Sequence, residues 1–360
     1  MEESRLSDFK HRDVIILPRW LILSLLMAGM AAMSPARADR SSERPDAGRL
    51  EAADKDALAG ALRLKADLGE AVWPGFGHAD IPVIVYDDEF EYLFGLPNPP
   101  PPWVVVVGDE YFGRTYFHRP AKDPQSFAVD LGGRWAGSLS SLVRMNRKIP
   151  LKIGPDWYGL GLLHELFHAF QAEAYPAKFA AAREAYTFEI RYPFKNTEFA
   201  AAWNAEGAAL SRAMKASDSA GMTAAVGEFL RIREGRRSNA GLAPDLVLFE
   251  QRLEWLEGLA KYAEIRADEL AVARADQDAY ARFRSGLHFL VRADFARLEG
   301  SLGRQEGDLR FYLSGMAIAR LLDRLDPGWK RRAFTDRTEL EDLLRAAVNT
   351  WAGLRPKFIL

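Results

Sequence analysis

Residues 155–176 read PDWYGLGLLHELFHAFQAEAYP. A proline lies at each end and Asp156 suits an N-terminal cap, so the sequence predicts one α-helix over about 157–175. His164 and His168 lie four residues apart and therefore share one face of this helix. The apolar side chains that would embed it are Leu162, Leu163, Leu166, Phe167 and Phe170. We expect a helix that is buried on one side and presents two imidazoles on another.

The HExxH segment at residues 164–168 has the spacing of a catalytic zinc helix. The chain contains no cysteine, so any metal must be bound by His, Asp or Glu. Glu165 would project beside the ion, where it can hold a water molecule and act as general base. We therefore predict a Zn²⁺ site at His164 and His168. The alternative is that both histidines are ordinary residues with satisfied hydrogen bonds.

A zinc hydrolase needs three protein ligands and one open position for water. Positions 171 and 174 are Gln and Ala, which excludes the three-histidine HExxHxxGxxH pattern. The third ligand is therefore expected to be a carboxylate on a later helix. Glu257 and Glu206 are the candidates, because each precedes a glycine, whose missing side chain lets another helix approach the metal closely.

Glu257 lies in the segment WLEGLAKY, residues 255–262, downstream of HExxH. These two segments resemble the gluzincin zinc peptidases of the peptidase-MA-like clan, whose third zinc ligand is the glutamate of an EGLA helix. The resemblance implies peptide hydrolysis, with Glu257 completing the metal site. Glu206, on the helix that follows the HExxH helix, is the rival ligand. If it does not bind the metal, it is expected to orient a histidine.

A group that stabilises the oxyanion is also expected. Tyr312, near the start of a late helix, resembles the tyrosine that related enzymes place opposite the metal, and Tyr262 is the alternative. A tyrosine on an amphipathic helix is otherwise a packing residue with a satisfied hydroxyl. The predicted catalytic residues are therefore Glu165 and Tyr312.

The N-terminus has the pattern of a bacterial secretory signal. Basic residues precede an uncharged run over 20–33, and the small-residue site SPARA follows at 34–38. The apolar run is about half the length of a membrane-spanning helix. We predict cleavage after Ala38 and a periplasmic or secreted protein without stable membrane insertion. A retained membrane anchor is the alternative.

The predicted fold class is α+β, with a small N-terminal mixed β-sheet packed on a mainly helical, zinc-metallopeptidase-like domain. The segments are a signal peptide (1–38), a linker and helix (39–80), a β-rich subdomain (81–150) and a helical catalytic subdomain carrying HExxH (151–360). Short β-branched and aromatic runs predict strands at 81–86, 103–107, 114–118, 127–131 and 134–139. Later helices are predicted at 197–215, 220–237, 245–275, 278–299, 309–325 and 338–351.

The charge balance argues against a nucleic-acid partner. Among 360 residues, 48 Lys and Arg face 50 Asp and Glu, and this net charge of −2 leaves no excess of cations for a phosphate backbone. The basic run RIREGRR at 231–237 is expected at a solvated helix end, where cations face the negative pole of the dipole. A clamp for a substrate carboxylate is the alternative for this run.

Together these features predict an exported zinc-dependent metallohydrolase that acts on a peptide or protein substrate. The alternative is an exported zinc-containing or helical binding protein of the cell envelope without peptidase activity. The sequence leaves open the substrate, the choice between endo- and exo-action, and the oligomeric state.

Overall fold

The structure is a computed structural model that describes residues 48–305, 307–335 and 338–353. A six-stranded mixed sheet on the N-terminal side is joined to a mostly helical remainder, which confirms the predicted α+β class. The predicted signal peptide and its cleavage site lie outside the described residues. No helix among the described residues is both long and apolar enough to cross a membrane.

The N-terminal part consists of helix α1 (Ala52–Val72), six strands and helix α2 (Leu142–Lys148). The strands are β1 (Val83–Tyr86), β2 (Phe90–Phe94), β3 (Val104–Val105), β4 (Phe117–Pro120), β5 (Phe127–Asp130) and β6 (Trp135–Ser140). The later α-helices are α3 (Pro155–Ala174), α4 (Pro176–Ala185), α5 (Thr197–Lys215), α6 (Ser219–Asn239), α7 (Pro244–Leu253), α8 (Leu259–Val272), α9 (Phe289–Gly300), α10 (Leu309–Leu325), α11 (Trp329–Ala333) and α12 (Leu340–Gly353). The described 3₁₀ helices are Tyr186–Arg191, Asp278–Phe283 and Leu302–Arg304, and Glu254–Gly258 forms a π-helical turn.

The strands are ordered β3-β4-β2-β1-β6-β5, so β5 forms one edge of the sheet. β1 pairs with β6 in parallel, and the other described pairings are antiparallel. Strand β2 was not predicted, because Glu91 interrupts its apolar run. The structure buries that carboxylate and pairs it with Arg119 of β4 at 2.5 Å.

Three helix predictions are wrong in detail. Pro176 begins helix α4 rather than only ending α3, because proline is tolerated in the first turn of a helix. The π-helical turn divides the helix predicted over 245–275. The helix predicted over 278–299 is divided into a 3₁₀ helix, Asp278–Phe283, and an α-helix that begins at Phe289, with non-helical residues between them.

Helix α3 carries the HExxH segment and packs on β6, α1 and α8. A Cβ atom at Gly137 of β6 would lie 2.9 Å from the backbone nitrogen of Leu166, so the missing side chain lets the helix lie directly on the sheet. The predicted cap is wrong: Gly154 is the N-cap and Pro155 opens the first turn. Asp156 lies inside that turn, where its charge still suits the positive end of the helix.

The arginine-rich run over 231–237 lies towards the end of helix α6, as predicted, but two of its arginines are not solvated. Arg233 and Arg236 are 0% and 3% exposed and form ion pairs with carboxylates of this chain. A guanidinium is rarely buried unless it is paired, and these two are held in the interior by buried glutamates. The pairing also removes both as free cations for a substrate carboxylate.

Candidate metal centre

His164, His168 and Glu257 form a buried group that could hold a metal ion. The two imidazole Nε2 atoms are 3.1 Å apart. Oε2 of Glu257 lies 3.2 Å from Nε2 of His168 and 3.7 Å from Nε2 of His164. Tetrahedral ligands at bonds of about 2 Å stand about 3.3 Å apart. The three atoms therefore already have nearly the spacing that a small tetrahedral ion requires.

The π-helical turn delivers Glu257 to the histidines. A π turn holds one extra residue, and such single turns are frequent at functional sites. Gly258 follows the ligand, and a Cβ atom there would lie 2.5 Å from Cα of Gly315 on helix α10. The glycine after Glu257 therefore allows the close approach of another helix, as its sequence position predicts.

A polar side chain lies against Nδ1 of each imidazole. Nδ1 of His164 faces Oε2 of Glu264 at 3.4 Å, and Nδ1 of His168 faces Oε1 of Gln171 at 3.1 Å. Gln171 in turn donates to the carbonyl of Trp255 in the π-helical turn, at 2.8 Å. Acceptors on Nδ1 place the proton there and leave Nε2 of each ring available to a metal.

The carboxylates make the centre attract positive charge. Burial alone would lower the pKa of His164, but hydrogen bonds with Glu257 and Glu264 outweigh it and raise that pKa to about 9. At His168 burial dominates and lowers the pKa despite the neighbouring Glu257. Burial alone would raise the pKa of Glu257, yet the two imidazoles hold it well below its usual range. A divalent cation would balance the same negative charge.

The structure places both predicted catalytic residues at this centre. Glu165 directly follows the ligand His164 in helix α3 and is 1% exposed. The ring of Tyr312 stacks on His164, with centroids 5.6 Å apart and planes 11° from parallel. Burial and the nearby carboxylate of Glu257 raise the pKa of Tyr312 well above its usual value. The alternative tyrosine, Tyr262, instead donates to Asp323 at 2.6 Å.

A second tyrosine at the centre was missed from the sequence. The hydroxyl of Tyr186 lies 2.6 Å from Oε1 of Glu257 and 3.0 Å from Oδ2 of Asp308. Both partners are buried, and burial raises the pKa of Tyr186 well above its usual value. The hydroxyl has one proton to donate to the two carboxylates. It therefore holds the ligand carboxylate at the oxygen that faces away from the histidines.

Glu206, the rival third ligand, is not at this centre. One carboxylate oxygen accepts from Nε of Arg233 at 2.9 Å, and the other accepts from Nε of Arg236. With both oxygens engaged by arginines, it neither completes the histidine pair nor orients an imidazole. The structure brings Glu257 to the histidines instead.

The centre is closed to solvent. His164, Glu165, His168 and Glu257 are each at most 2% exposed. Phe127, the first residue of edge strand β5, packs its ring 4.6 Å from that of His168. The three candidate metal ligands thus lie beside a strand that pairs only with β6 in the described sheet.

In comparisons with known proteins, no protein-family model, no curated protein and no solved structure matches the chain.

Proposed function

We propose that the protein is a zinc-dependent hydrolase of peptides, exported by the signal that its N-terminal sequence predicts. One observation carries the proposal: two imidazole nitrogens and one carboxylate oxygen have nearly tetrahedral spacing, with Glu165 beside them. Two His and one Glu, with no cysteine, are the ligands of catalytic rather than structural zinc sites. Zinc held by these residues would lower the pKa of water and polarise a carbonyl.

The residues around the ligands have distinct roles in this proposal. Glu165 accepts the proton of the attacking water and delivers it to the leaving nitrogen. Tyr312 donates a hydrogen bond to the oxyanion that develops on the substrate carbonyl. Tyr186 fixes the carboxylate of Glu257 from the side opposite the histidines. Each role requires only groups that already lie at the centre.

The edge strand β5 supports an extended peptide as the substrate. It lies against the HExxH helix through Phe127 and His168 and has one edge outside the described pairings. A peptide that adds to this edge would be recognised through its main chain, with little dependence on sequence. The resemblance of the HExxH and EGLA segments to gluzincin peptidases also supports peptides as substrates.

Replacing Glu165 tests the proposal. The protein without a histidine tag is analysed for zinc by mass spectrometry and for hydrolysis of a fluorescently labelled denatured protein. We expect about one zinc per chain. Glu165→Gln should keep the zinc and slow hydrolysis by about 10²–10⁴-fold. Glu173→Gln is the matched control, because Glu173 lies on the same helix but pairs with Arg134 at 3.1 Å.

Two results would count against this function. A wild-type chain purified with no near-stoichiometric zinc contradicts the metal assignment. Unchanged hydrolysis by Glu165→Gln contradicts its role as general base.

The second candidate function is an exported metal-binding protein without hydrolytic activity. The burial of the centre favours it, because a peptide has no direct access to ligands that are at most 2% exposed. This candidate predicts wild-type protein with bound zinc and no hydrolysis of peptides. In that case Glu165→Gln would change neither measurement.

A further inference from the structure

A cluster of buried ions lies next to the metal centre. Its members, here termed the ion cluster, are Arg233, Arg236, Glu206, Glu250, Glu254 and Glu341. Each is at most 5% exposed. Burying so many charges is expensive, and apolar replacements of similar volume are often as stable or more stable. A contribution to the stability of the fold is therefore not enough to explain why these charges are buried together.

One member of the ion cluster lies in the same π-helical turn as the metal ligand Glu257. Glu254 is the first residue of the π-helical turn that carries Glu257. Its Oε1 accepts from Nη2 of Arg233 at 2.6 Å and from Oγ of Ser314 at 2.5 Å. Its Oε2 accepts from Nη1 of Arg233 at 3.0 Å. Arg233 thus holds both oxygens of this carboxylate in a planar fork.

A π turn needs such support, because it is less favourable than the α-helix that flanks it on both sides. Its relaxation to regular α-helix would shift the following residues by one position. One position is a rotation of about 100° and a rise of about 1.5 Å. Zinc ligands must lie within about 0.2 Å of their ideal distances. Glu257 could not remain near both histidines after such a shift.

We propose that Arg233 is a positioning residue for the metal ligand Glu257. By holding Glu254, Arg233 keeps the first residue of the π-helical turn in place, while Gln171 holds the carbonyl of Trp255 and Gly258 packs on Gly315. The role rests on the proposed metal site and adds a requirement to it: metal affinity depends on an ion pair that makes no contact with the metal.

The double variant Arg233→Met/Glu254→Leu tests this role, because it removes the ion pair without leaving either charge unpartnered. Glu206 keeps Arg236, and Glu341 keeps Arg237 at 2.9 Å. The measurements are the zinc Kd, by competition with a chelator, and the urea midpoint. We expect a zinc Kd about 10–100-fold weaker in a folded protein, as for other residues that orient metal ligands.

Arg237→Met is the matched control. Arg237 lies on the same helix and pairs with Glu250 at 2.7 Å and with Glu341, but not with Glu254. We expect it to change the urea midpoint and leave the zinc Kd within about twofold. Ser314→Ala is the second, milder variant, because it removes only one hydrogen bond from Glu254. It should weaken zinc binding several-fold even if the double variant does not fold.

The outcomes separate this inference from the proposed function. A wild-type chain that binds no zinc refutes the proposed function. A wild type that binds zinc refutes this inference alone if the folded double variant binds equally tightly. Two further results would refute this inference. One is that Arg237→Met weakens zinc binding as much as the double variant does, and the other is that Ser314→Ala leaves the zinc Kd unchanged.

Discussion

Glu257→Gln and Glu206→Gln should have opposite effects, although both residues precede a glycine. Glu257→Gln replaces the carboxylate oxygen that lies 3.2 Å and 3.7 Å from the histidine nitrogens. A four-ligand zinc site is worth about 10–16 kcal/mol, so one charged ligand contributes about 3 kcal/mol. We expect the zinc Kd to weaken at least about 100-fold, since 1.4 kcal/mol is tenfold.

Glu206→Gln should leave the zinc Kd within about twofold of the wild type but destabilise the fold. The glutamine cannot accept from both Arg233 and Arg236, and breaking a buried ion pair costs about 3–5 kcal/mol. Both arginines keep other carboxylates, so about 3 kcal/mol is the expected loss. For a chain of this length that lowers Tm by about 5 °C.

Zinc titration against a competing chelator, with calorimetry on the same samples, measures both effects. The crossed pattern is the decisive result. Loss of zinc from Glu206→Gln with retention by Glu257→Gln would refute the ligand assignment. Equal zinc loss in both would show that the measurement reports unfolding rather than coordination.

Further predictions concern the oxyanion, a helix contact and acid stability. Tyr312→Phe should lower kcat about 10²–10³-fold and keep the zinc, and an unchanged kcat would remove its catalytic role. Gly258→Ala should destabilise the protein by about 3 kcal/mol, because its Cβ would lie 2.5 Å from Cα of Gly315. Gly60→Ala, with nothing within 4 Å, should add up to about 1 kcal/mol by urea unfolding, and equal effects would contradict the packing argument. Although burial alone would raise it, Arg236 and Arg237 hold the pKa of Glu250 at about 2 rather than 4.5. This stabilisation of about 3 kcal/mol is therefore fully present above pH 4.5 and lost as the pH falls towards 2. Urea midpoints of Glu250→Gln should show a weaker acid dependence than the wild type, and parallel profiles would refute the assignment.

The local part of the site could be predicted from the sequence, because its geometry is set by one helix. His164 and His168 are four residues apart, and any regular helix places them together. The third ligand could not be predicted in this way. Glu257 and Glu206 both precede a glycine on a helix, and helix geometry alone does not decide between them; only the resemblance of the Glu257 segment to an EGLA helix favoured it. The arginines that pair with Glu206 lie on another helix. Neither the composition nor the periodicity of their segment indicated that they would be buried.

The remaining misses have physical reasons of the same kind. Tyr186 reaches Glu257 from a 3₁₀ helix, which has no periodic apolar pattern to mark it. The π-helical turn is an irregularity inside a segment with continuous helical propensity, so a period of 3.6 residues predicts a straight helix there. Of the residues around the ligands that were not predicted, Gln171 was the easiest to identify from the sequence. It lies three residues after His168 on the same face, where an amide is well placed to orient an imidazole.

The closed centre sets the meaning of any Michaelis constant measured for this protein. A peptide cannot contact ligands that are at most 2% exposed, so hydrolysis as proposed would require molecules in which the segments over the centre have moved. The apparent Kd then equals the intrinsic Kd divided by the open fraction, and one open molecule in about a hundred weakens it about a hundredfold. A weak KM would therefore report the opening equilibrium as much as recognition of the substrate.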